Sequence, residues 1–458
     1  MNDFEQPYDV LIIGAGPVGL ATAIGLQQRG INNILVVDQT REFRPVGQVV
    51  DLLPNGLKAL RAIAESAYEA MGIPTTDKEA DGQPEQQRYW LRKNLQGQVT
   101  HAVPLGFNHW REKYGEGRIS LPWFNLQTNL RNLIDPNLIQ INYRFFDYQQ
   151  TPDEVIVFCQ TNQETLSNPF AHWESGQEIA KAEMRQDSTN PQKSITIRAK
   201  LVVAADGINS TMRQVLYQNT ALEPWAKPQY SGWAAMGCLS INPVPENIIN
   251  QLKTDYFQDQ MMVSLQNDAL MQADPEQDSP RLILINKGEA GLGYLFHFPV
   301  PLDKILHQPP LAILNLAIQQ LKNADFPTAI TDLIGLTNLE HCFSRPYYLH
   351  AANACDHFPM WSHDRLVLAG DAAHGMPPFS AQGANQGLED AAYLVKAIAA
   401  LVKQQQLEDL AAINQQFQTY ESQRRPFLAL MQKAALESHR WTEAEWEIYG
   451  QQVYGREL

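Results

Sequence analysis

Three glycines and an aspartate near the N-terminus have the spacing of a dinucleotide-binding turn. Gly14, Gly16 and Gly19 form a G-x-G-x-x-G sequence, and Asp38 follows Gly19 by 19 residues. Glycines at these positions allow a tight turn, close approach of the backbone to a pyrophosphate, and close packing of a helix on a strand. The carboxylate of Asp38 can accept hydrogen bonds from a ribose diol. The pattern predicts a site for an adenine dinucleotide.

The segments around this turn, which also contains Pro17, have the pattern strand, turn, helix, strand. Residues 10–13 and 34–37 are apolar runs typical of buried strands, and the helical pattern between them ends at Gly30. The N-terminus of that helix offers free N–H groups and partial positive charge to phosphates. A glycine turn in an ordinary βαβ unit is the simpler alternative, but the strand, the helix and the correctly spaced acid favour the dinucleotide site.

The composition is that of a folded, acidic protein. The 458 residues are 44% hydrophobic and 19% charged, and the net charge is −15 at pH 7. A chain of this length allows one large two-domain enzyme or about three average domains. The acidic balance argues against nucleic acid and anionic membranes as partners, because both attract basic patches.

Four cysteines are too few for a disulfide scaffold in a chain of this length, and none forms a C-x-x-C motif. We therefore predict a reducing compartment and a cytoplasmic location. Residues 10–26 carry no charge but are fewer than the roughly 20 residues that span a membrane, so no transmembrane segment is expected. The histidines and the cysteine between 350 and 374 match no zinc pattern, and we predict no metal site.

Two further apolar strands end in an acid. Residues 201–205 precede Asp206, and residues 365–370 precede Asp371. The second strand is followed by a glycine-containing loop and then by a helix whose apolar residues recur every three or four positions. Residues 225–344 have the texture of antiparallel strands.

Composition and spacing predict the structure of four other segments. Residues 74–99 are rich in Gln, Glu and Asp and are expected to form an exposed insertion. Residues 160–193 are polar and unpatterned, which predicts a mobile loop. Residues 126–134 carry apolar side chains at helical spacing, which predicts a helix as far as Ile134. The chain beyond residue 400 is predicted to be helical.

Three signatures occur in one order: GAGPVG at 14–19, DGINSTMR at 206–213 and RLVLAGDAAHGMPPFSAQGAN at 365–385. Together they resemble the FAD-dependent aromatic hydroxylase family, the single-component flavin monooxygenases with the para-hydroxybenzoate hydroxylase fold. SGWAAMG at 231–237 and YESQRRP at 420–426 also resemble family landmarks, so that the resemblance covers nearly the whole chain.

The resemblance implies an α/β fold, with a Rossmann-type FAD-binding domain, an inserted and mainly antiparallel β-sheet substrate domain, and C-terminal helices. The FAD-binding domain is expected to be discontinuous, over residues 1–75, 115–150, 195–224 and 345–400. The substrate domain and insertions are expected over 76–114, 151–194 and 225–344, and the C-terminal helices over 401–458. The family also implies that NADH or NADPH docks without a Rossmann domain of its own.

By resemblance, Asp371 with Gly370 would hold the ribityl chain of FAD through hydroxyl hydrogen bonds. Gly383, Ala384 and Asn385 would present backbone N–H groups at a helix N-terminus to the pyrimidine end of the flavin. Pro378 and the proline before it would form a rigid wall beside the flavin ring.

Asp206 and Arg213 belong to a motif that the family links to both FAD and NAD(P)H; an ion pair that only fixes the loop is an equal alternative. Arg44 could neutralise a pyrophosphate, although a solvated loop arginine is as compatible with its spacing. Gln127 stands near the place where many relatives have an arginine that touches FAD. The residues predicted to bind the cofactor are Gly14, Gly16, Pro17, Gly19, Asp38, Arg44, Gln127, Asp206, Gly370, Asp371, Pro378, Gly383, Ala384 and Asn385.

The sequence also departs from the family in two places. Ser380 and Ala381 stand where relatives usually have glycines, and Met236 stands where they often have arginine. These departures weaken the analogy for the substrate more than for the flavin.

The resemblance implies an NAD(P)H-dependent FAD monooxygenase that inserts one oxygen atom into an aromatic or other electron-rich substrate through a flavin hydroperoxide. Because the cofactor carries that chemistry, no catalytic side chain is predicted. The partners would be a small-molecule substrate and molecular oxygen, with a possible homodimer. The alternatives are a dehydrogenase or reductase of the same fold acting on an isoprenoid or quinone-like substrate, and a flavin-bound sensor. A halogenase is disfavoured because its W-x-W-x-I-P motif is absent.

Overall fold

The structure is a computed structural model that describes residues 6–45, 47–73, 89–161, 193–273, 278–437 and 441–457. The loop expected at 160–193 therefore lies almost entirely outside the described residues. No helix within these ranges is both long enough and apolar enough to span a membrane.

The described strands and helices are numbered in chain order. The strands are β1 Tyr8–Ile13, β2 Ile34–Asp38, β3 Val49–Leu52, β4 Tyr89–Lys93, β5 Val99–Pro104, β6 Ile119–Pro122, β7 Ile139–Ile141, β8 Arg144–Gln150, β9 Val155–Thr161, β10 Lys193–Ala204, β11 Gln229–Ile241, β12 Met262–Gln266, β13 Arg281–Asn286, β14 Leu292–Pro299, β15 Cys342–Leu349, β16 Ser362–His363 and β17 Leu366–Leu368. The helices are α1 Pro17–Gln28, α2 Pro54–Ile63, α3 Glu65–Glu69, α4 Phe107–Tyr114, α5 Trp123–Arg131, α6 Thr211–Tyr217, α7 Glu246–Leu252, α8 Asp268–Ala273, α9 Pro310–Asn323, α10 Thr328–Gly335, α11 Asp371–His374, α12 Gly383–Lys403, α13 Leu410–Glu437 and α14 Glu443–Val453.

The first sheet is built around the strands that the apolar runs predict. Its path within the described residues is β16-β17-β10-β1-β2-β7. In addition, β9 pairs with β10, and β8 pairs with β9. Strand β1 pairs in parallel with β2 and β10, and β10 pairs in parallel with β17. These strands are buried along their length because helices cover the sheet, which explains their continuous apolar sequence.

Strand β10 is longer than the sequence suggests. The apolar run at 201–205 is the second half of a longer strand, Lys193–Ala204. Its first half pairs antiparallel with β9 and its second half pairs in parallel with β1. The polar residues Arg198 and Lys200 hid this continuity; their side chains form ion pairs with Glu154 and Asp9.

The second sheet is mainly antiparallel, as predicted for residues 225–344. Its order within the described residues is β15-β11-β14-β13-β12-β4-β5. Alternate side chains of β11, β13 and β14 point to one face, where they form a second core with α7, α9 and α10. The opposite face of these strands is turned towards the loop that precedes α12. The mixed α/β class with an antiparallel second sheet is therefore confirmed.

The exposed insertion expected at 74–99 is wrong for its described part. Residues 89–93 form β4, which pairs in parallel with β12 and continues into β5. Lys93 is buried, and its ammonium group donates to the backbone carbonyl of Tyr256 at 2.7 Å. The polar composition of the segment hid this strand, and its partner β12 lies far away in the chain. Residues 74–88 lie outside the described residues.

The helices of the last part of the chain support the loop before α12. Helix α12 packs against α1, α2 and α13, and the C-terminal helices α13 and α14 lie where the sequence predicts helix. One helical boundary differs from expectation: α5 ends at Arg131, so that Leu133 and Ile134 follow the helix, and Leu133 is exposed.

Candidate FAD-binding site

The glycine turn is held in a conformation that only glycine allows at two of its positions. Gly14 has φ +108°, and an added Cβ would lie 2.3 Å from the carbonyl oxygen of Ala205 at the end of β10. An added Cβ at Gly19 would lie 2.0 Å from the carbonyl oxygen of Gly14. A Cβ at Gly16 would instead meet no atom within 4 Å. The turn is therefore tight against the sheet and open on the side of Gly16.

Helix α1 begins at this open side. Gly16 is its N-cap and makes no side-chain cap, Pro17 occupies the first turn, and that turn has no acidic residue. The first N–H groups of a helix have no partner inside the helix, and together with the helix dipole they attract anions. The geometry at Gly16 and Pro17 fits a phosphate group.

Asp38 lies at the end of β2 and fixes the glycine turn. One carboxylate oxygen accepts from the backbone N–H of Ala15 at 2.7 Å, and the other accepts from that of Thr40 at 2.7 Å. Burial raises the pKa of Asp38, and these two hydrogen bonds oppose that rise. Each oxygen retains acceptor capacity for a hydroxyl group.

Gln127, one of the residues predicted to bind the cofactor, lies at the turn. Its side-chain amide donates to the carbonyl oxygen of Ala15 at 2.7 Å and is buried. Arg44 is exposed and pairs with Glu42 at 2.9 Å. In the described structure no hydrogen bond joins Arg44 to the glycine turn.

Asp206 follows β10 and stands beside Gly14. One of its carboxylate oxygens accepts from the backbone N–H of Met212 at 3.2 Å, while the other is buried without a hydrogen-bond partner among the described residues. Burial raises the pKa of Asp206, opposed by hydrogen bonds from residues of the same loop. A buried carboxylate oxygen without a partner can accept a hydrogen bond from a ligand.

Arg213 makes different contacts from those that the sequence suggests. Its guanidinium donates to the backbone carbonyls of Trp225, Ala372 and Ala373 at 3.0, 2.9 and 3.0 Å. Among the described residues it forms no ion pair with Asp206. Arg213 therefore fixes α11 to the segment around residue 225, and the simple loop-fixing ion pair is wrong.

Gly370, Asp371 and Gly383 bring the third signature to the glycine turn. An added Cβ at Gly370 would lie 3.0 Å from the side chain of Val18 in α1, and one at Gly383 would lie 3.8 Å from a carboxylate oxygen of Asp371. The side chain of Asp371 is exposed to the space between these segments, although the surrounding protein withdraws solvent and raises its pKa. We call this space, bounded by residues 14–19, Asp371 and Gly383, the cleft.

The start of α12 is held by the side chain of Asn385. Its oxygen accepts from the backbone N–H of Leu53 at 2.9 Å, and its amide donates to the carbonyls of Asp51 and Ala381 at 2.8 and 2.7 Å. The side-chain amide of Asn385 is thus engaged in the protein. The first backbone N–H groups of α12 have no partner inside the helix and can bind a ligand. Ala381 has φ 53°, in the left-handed region that favours glycine.

A buried charge network under α12 was not predicted as part of the site. The guanidinium of Arg424 contacts the carboxylates of Glu389 and Asp390, the latter at 2.8 Å, and His374 contacts the other oxygen of Asp390. That oxygen also accepts from the backbone N–H of Gly370 at 2.9 Å. Burial would raise the pKa of Asp390, but His374 and Arg424 outweigh it and lower the pKa to about 2. The YESQRRP segment, which contains Arg424, was the available signal.

The loop before α12 also contacts the second sheet. Pro378 begins a single turn of 3-10 helix, Pro378–Ser380. The ring of Phe379 in this turn meets the rings of Trp233, His297 and Tyr347 edge-on, with centroids 5.4, 5.2 and 5.4 Å away. No sequence motif marks His297 or Tyr347. The second sheet therefore covers one side of the loop that ends at Gly383.

The cleft has the donors and acceptors that a dinucleotide requires along its length. The uncapped start of α1 is suited to phosphates, Asp38 to a ribose, Asp371 to further hydroxyl groups, and the start of α12 to an electron-rich ring edge. The described residues contain no group of three His, Cys, Asp or Glu side chains placed to hold a metal ion.

A family model described as FAD binding domain matches residues 7–64 and 349–435. These are the two parts of the chain that meet in the cleft.

Two relatives of known activity are similar over most of their length. A 6-hydroxynicotinate 3-monooxygenase of Pseudomonas fluorescens is 25% identical over 398 residues, which cover 86% of this chain and 83% of the relative. A 3-hydroxybenzoate 6-hydroxylase of Aquipseudomonas alcaligenes is 24% identical over 405 residues, covering 84% and 79%.

Solved structures show the same fold. A salicylate hydroxylase in complex with its substrate superposes with a TM-score of 0.63, 18% identity, and coverage of 98% of this chain and 96% of that chain. Klebsiella pneumoniae HpxO with FAD and uric acid superposes with a TM-score of 0.61, also at 18% identity, with coverage of 100% and 95%. These similarities confirm the predicted resemblance to the FAD-dependent aromatic hydroxylases, the single-component flavin monooxygenases with the para-hydroxybenzoate hydroxylase fold.

Proposed function

We propose that this FAD monooxygenase uses NADH or NADPH and molecular oxygen to hydroxylate an electron-rich aromatic ring. The overall reaction consumes NAD(P)H, a proton and O₂, replaces a ring C–H bond by C–OH, and releases NAD(P)⁺ and water. FAD, when bound, supplies the activation of oxygen and the transfer of one oxygen atom. The residues of the chain bind the reactants, orient them and exclude water.

The proposal assigns FAD an extended path through the cleft. The pyrophosphate would lie at Gly14, Gly16, Pro17 and Gly19, near Gln127, and the adenosine ribose at Asp38. Asp206, with its unsatisfied buried oxygen, would accept a hydrogen bond from the middle of the cofactor. Arg44 would contribute a positive charge from its loop to the pyrophosphate.

The flavin end of FAD would lie at the third signature. Asp371, next to Gly370, would bind the ribityl hydroxyls, and Pro378 would stand beside the ring. The backbone N–H groups of the first turn of α12, from Gly383 through Ala384 to Asn385, would face the pyrimidine edge. A helix N-terminus at this edge stabilises the negative charge that the reduced ring carries.

One observation carries the proposal: the meeting of the glycine turn, the exposed carboxylate of Asp371 and the start of α12 in one cleft. Segments that lie more than 300 residues apart in the chain build it. The same observation supports the discontinuous FAD-binding domain of the sequence analysis, with the second sheet as the substrate domain.

The substrates named for the relatives support an oxygenated aromatic ring. Hydroxynicotinate, hydroxybenzoate and salicylate are rings that bear a hydroxyl and a carboxylate group. We propose a substrate of this kind for the present enzyme. The four cysteines are free thiols, which supports the cytoplasmic location in the proposal. A homodimer remains a prediction.

The test is NADH or NADPH oxidation by the FAD-loaded protein with a panel of hydroxybenzoates, hydroxypyridines, phenols and indoles, while oxygen uptake is recorded with and without catalase. We expect one compound to accelerate both rates without releasing hydrogen peroxide. Equal rates under nitrogen with an artificial acceptor, and no hydroxylated product, would contradict the proposal and favour the dehydrogenase alternative.

A further inference from the structure

The second sheet presents a row of polar side chains towards the loop that carries Phe379. Arg281 of β13 is paired with His297 of β14, His297 with Ala235 of β11, and Ala235 with Arg345 of β15. Residues paired across neighbouring strands point to the same face of a sheet. Arg281, His297 and Arg345 therefore lie in line on the face opposite the second core.

Aromatic rings enclose this row. Tyr347 lies two residues after Arg345 and so shares its face. The guanidinium of Arg281 lies beside the rings of Trp233 and Phe379, 4.8 and 4.5 Å from their centroids. Phe379 belongs to the loop that the proposed function places beside the flavin. The row thus faces the space where the substrate ring would lie.

His297 is the most deeply buried polar group of the row. Its side chain is 6% exposed, and its Nδ1 atom lies 3.1 Å from the hydroxyl oxygen of Tyr347. The two rings are also stacked, with centroids 5.7 Å apart. Burial and then the charge of Arg281 lower the pKa of His297 to about 3. The imidazole is therefore neutral at physiological pH, with one nitrogen that donates and one that accepts.

The contact with Tyr347 decides which nitrogen donates. Burial raises the pKa of the Tyr347 phenol above its ordinary value, so the hydroxyl group keeps its proton. A phenol O–H donates more readily than an imidazole N–H, and an imidazole nitrogen accepts more readily than a phenol oxygen. We therefore assign the hydrogen bond from Tyr347 to Nδ1, which puts the imidazole proton on Nε2. Among the described residues Nε2 has no hydrogen-bond partner.

We propose that Nε2 of His297 donates a hydrogen bond to an acceptor oxygen on the substrate ring, and that Tyr347 positions His297 for this contact. The inference rests on the proposed function and deepens it: the substrate is an aromatic ring with a carboxylate, phenolate or ring carbonyl oxygen. The positive charges of Arg281 and Arg345 in the same row favour a negatively charged oxygen there. His297 acts as a hydrogen-bond donor and does not take the proton of a substrate hydroxyl.

The experiment uses the FAD-loaded enzyme and measures probe binding through the change in flavin absorption. The probes are benzoate, salicylate and 3-hydroxybenzoate, with indole as a ring that lacks an oxygen. We expect wild type to bind at least one oxygenated probe more tightly than indole. The His297→Leu variant should bind that probe about 10-fold or more weakly, because a hydrogen bond to a charged acceptor is lost. Tyr347→Phe should lie between the two.

A conservative variant distinguishes this contact from a purely structural role. The amide nitrogen of Gln reaches the position of Nε2, so His297→Gln should recover probe binding to within about threefold of wild type. The matched control is Phe296→Leu, the preceding residue of β14, whose side chain lies in the second core. It should lower thermal stability and leave probe affinity unchanged. FAD affinity should be the same in all four variants.

Three results would overturn the inference. The first is that no oxygenated probe binds the wild-type holoenzyme better than indole. The second is that His297→Leu binds as tightly as wild type, and the third is that His297→Gln binds as weakly as His297→Leu. Failure of the proposed function would give a different result: the enzyme would bind the probes but form no hydroxylated product with NAD(P)H and oxygen.

Discussion

Single glycines in the cleft have different physical tasks, although the sequence motif treats them alike. Gly14 has a positive φ and stands against Ala205, whereas Gly16 has φ −75° and ψ 174°, an extended conformation that any residue adopts. We therefore predict that glycine is required at position 14 for folding and at position 16 for the ligand.

This difference gives a test with a matched control. Gly16→Ala should leave the free energy of unfolding of FAD-free protein within about 0.5 kcal/mol of wild type, because its methyl group meets no protein atom. It should weaken FAD binding by about tenfold or more, since the methyl group would lie where the pyrophosphate approaches. The measurements are chemical denaturation and fluorescence titration with FAD.

The control is Gly14→Ala. Its added Cβ overlaps the carbonyl of Ala205 and its φ is unfavourable, so it should lose about 1–3 kcal/mol of stability or more even without FAD. Equal stability losses in the two variants, with equal FAD affinities, would contradict the assignment.

Asp390 provides a second test at the scale of one residue. It is fully buried between Arg424 and His374, and removing one partner of a buried ion pair leaves an uncompensated charge. Asp390→Asn should therefore cost about 3–5 kcal/mol of unfolding free energy at neutral pH. The surface control Glu408→Gln, which breaks an exposed contact with Lys200, should cost less than about 1 kcal/mol.

The pH dependence of this effect follows from the direction of the shift. The pKa of Asp390 is lowered to about 2 in the fold, against an ordinary value of 3.8. A carboxyl group with a lowered pKa stabilises the fold above its unfolded pKa and loses that contribution as the pH falls through the folded value. The difference between wild type and Asp390→Asn should be full above about pH 5 and should shrink between about pH 4 and 2. A difference that grows towards low pH would contradict the network.

Among the elements, the start of α12 depends most on long-range contacts. The side chain of Asn385 joins it to β3 and α2 through Leu53 and Asp51. Asn385→Ala leaves the buried N–H of Leu53 unsatisfied, which should cost about 1–3 kcal/mol, and should weaken FAD binding because the N–H groups of α12 lose their orientation. The control is Asn414→Ala on α13, which breaks a hydrogen bond to Asp364 and should leave FAD binding unchanged. Equal FAD affinities in both variants would refute this role.

The elements also show what a sequence can predict. The β1-α1-β2 unit was predictable because its strands are continuous apolar runs and its turn needs glycine. Strand β4 was not, because its side chains are only partly buried and its partner β12 lies some 170 residues away. The contacts of Arg424, and the placement of His297 beside Phe379, depend on tertiary partners that no local pattern records.

For the whole molecule, the two sheets explain why the signatures are far apart in the chain. The first sheet and α12 build the cleft, and the second sheet turns one face to its own core and the other to the loop at Phe379. The overall charge of −15 gives no indication of the substrate, whereas the local row of Arg281, His297 and Arg345 indicates an acceptor oxygen. We therefore expect substrate preference to be a local property of the second sheet.

The proposed monooxygenase reaction is tested most directly by tracing the oxygen atoms of O₂. The FAD-loaded enzyme is supplied with isotopically labelled O₂, NADH or NADPH, and the panel compound that most accelerates oxidation. The proposed function predicts that NAD(P)H consumed, oxygen consumed and hydroxylated product formed are equal in amount, with one labelled oxygen atom in each product molecule. Product that carries unlabelled oxygen from water, or oxidation that proceeds equally without O₂, would contradict it.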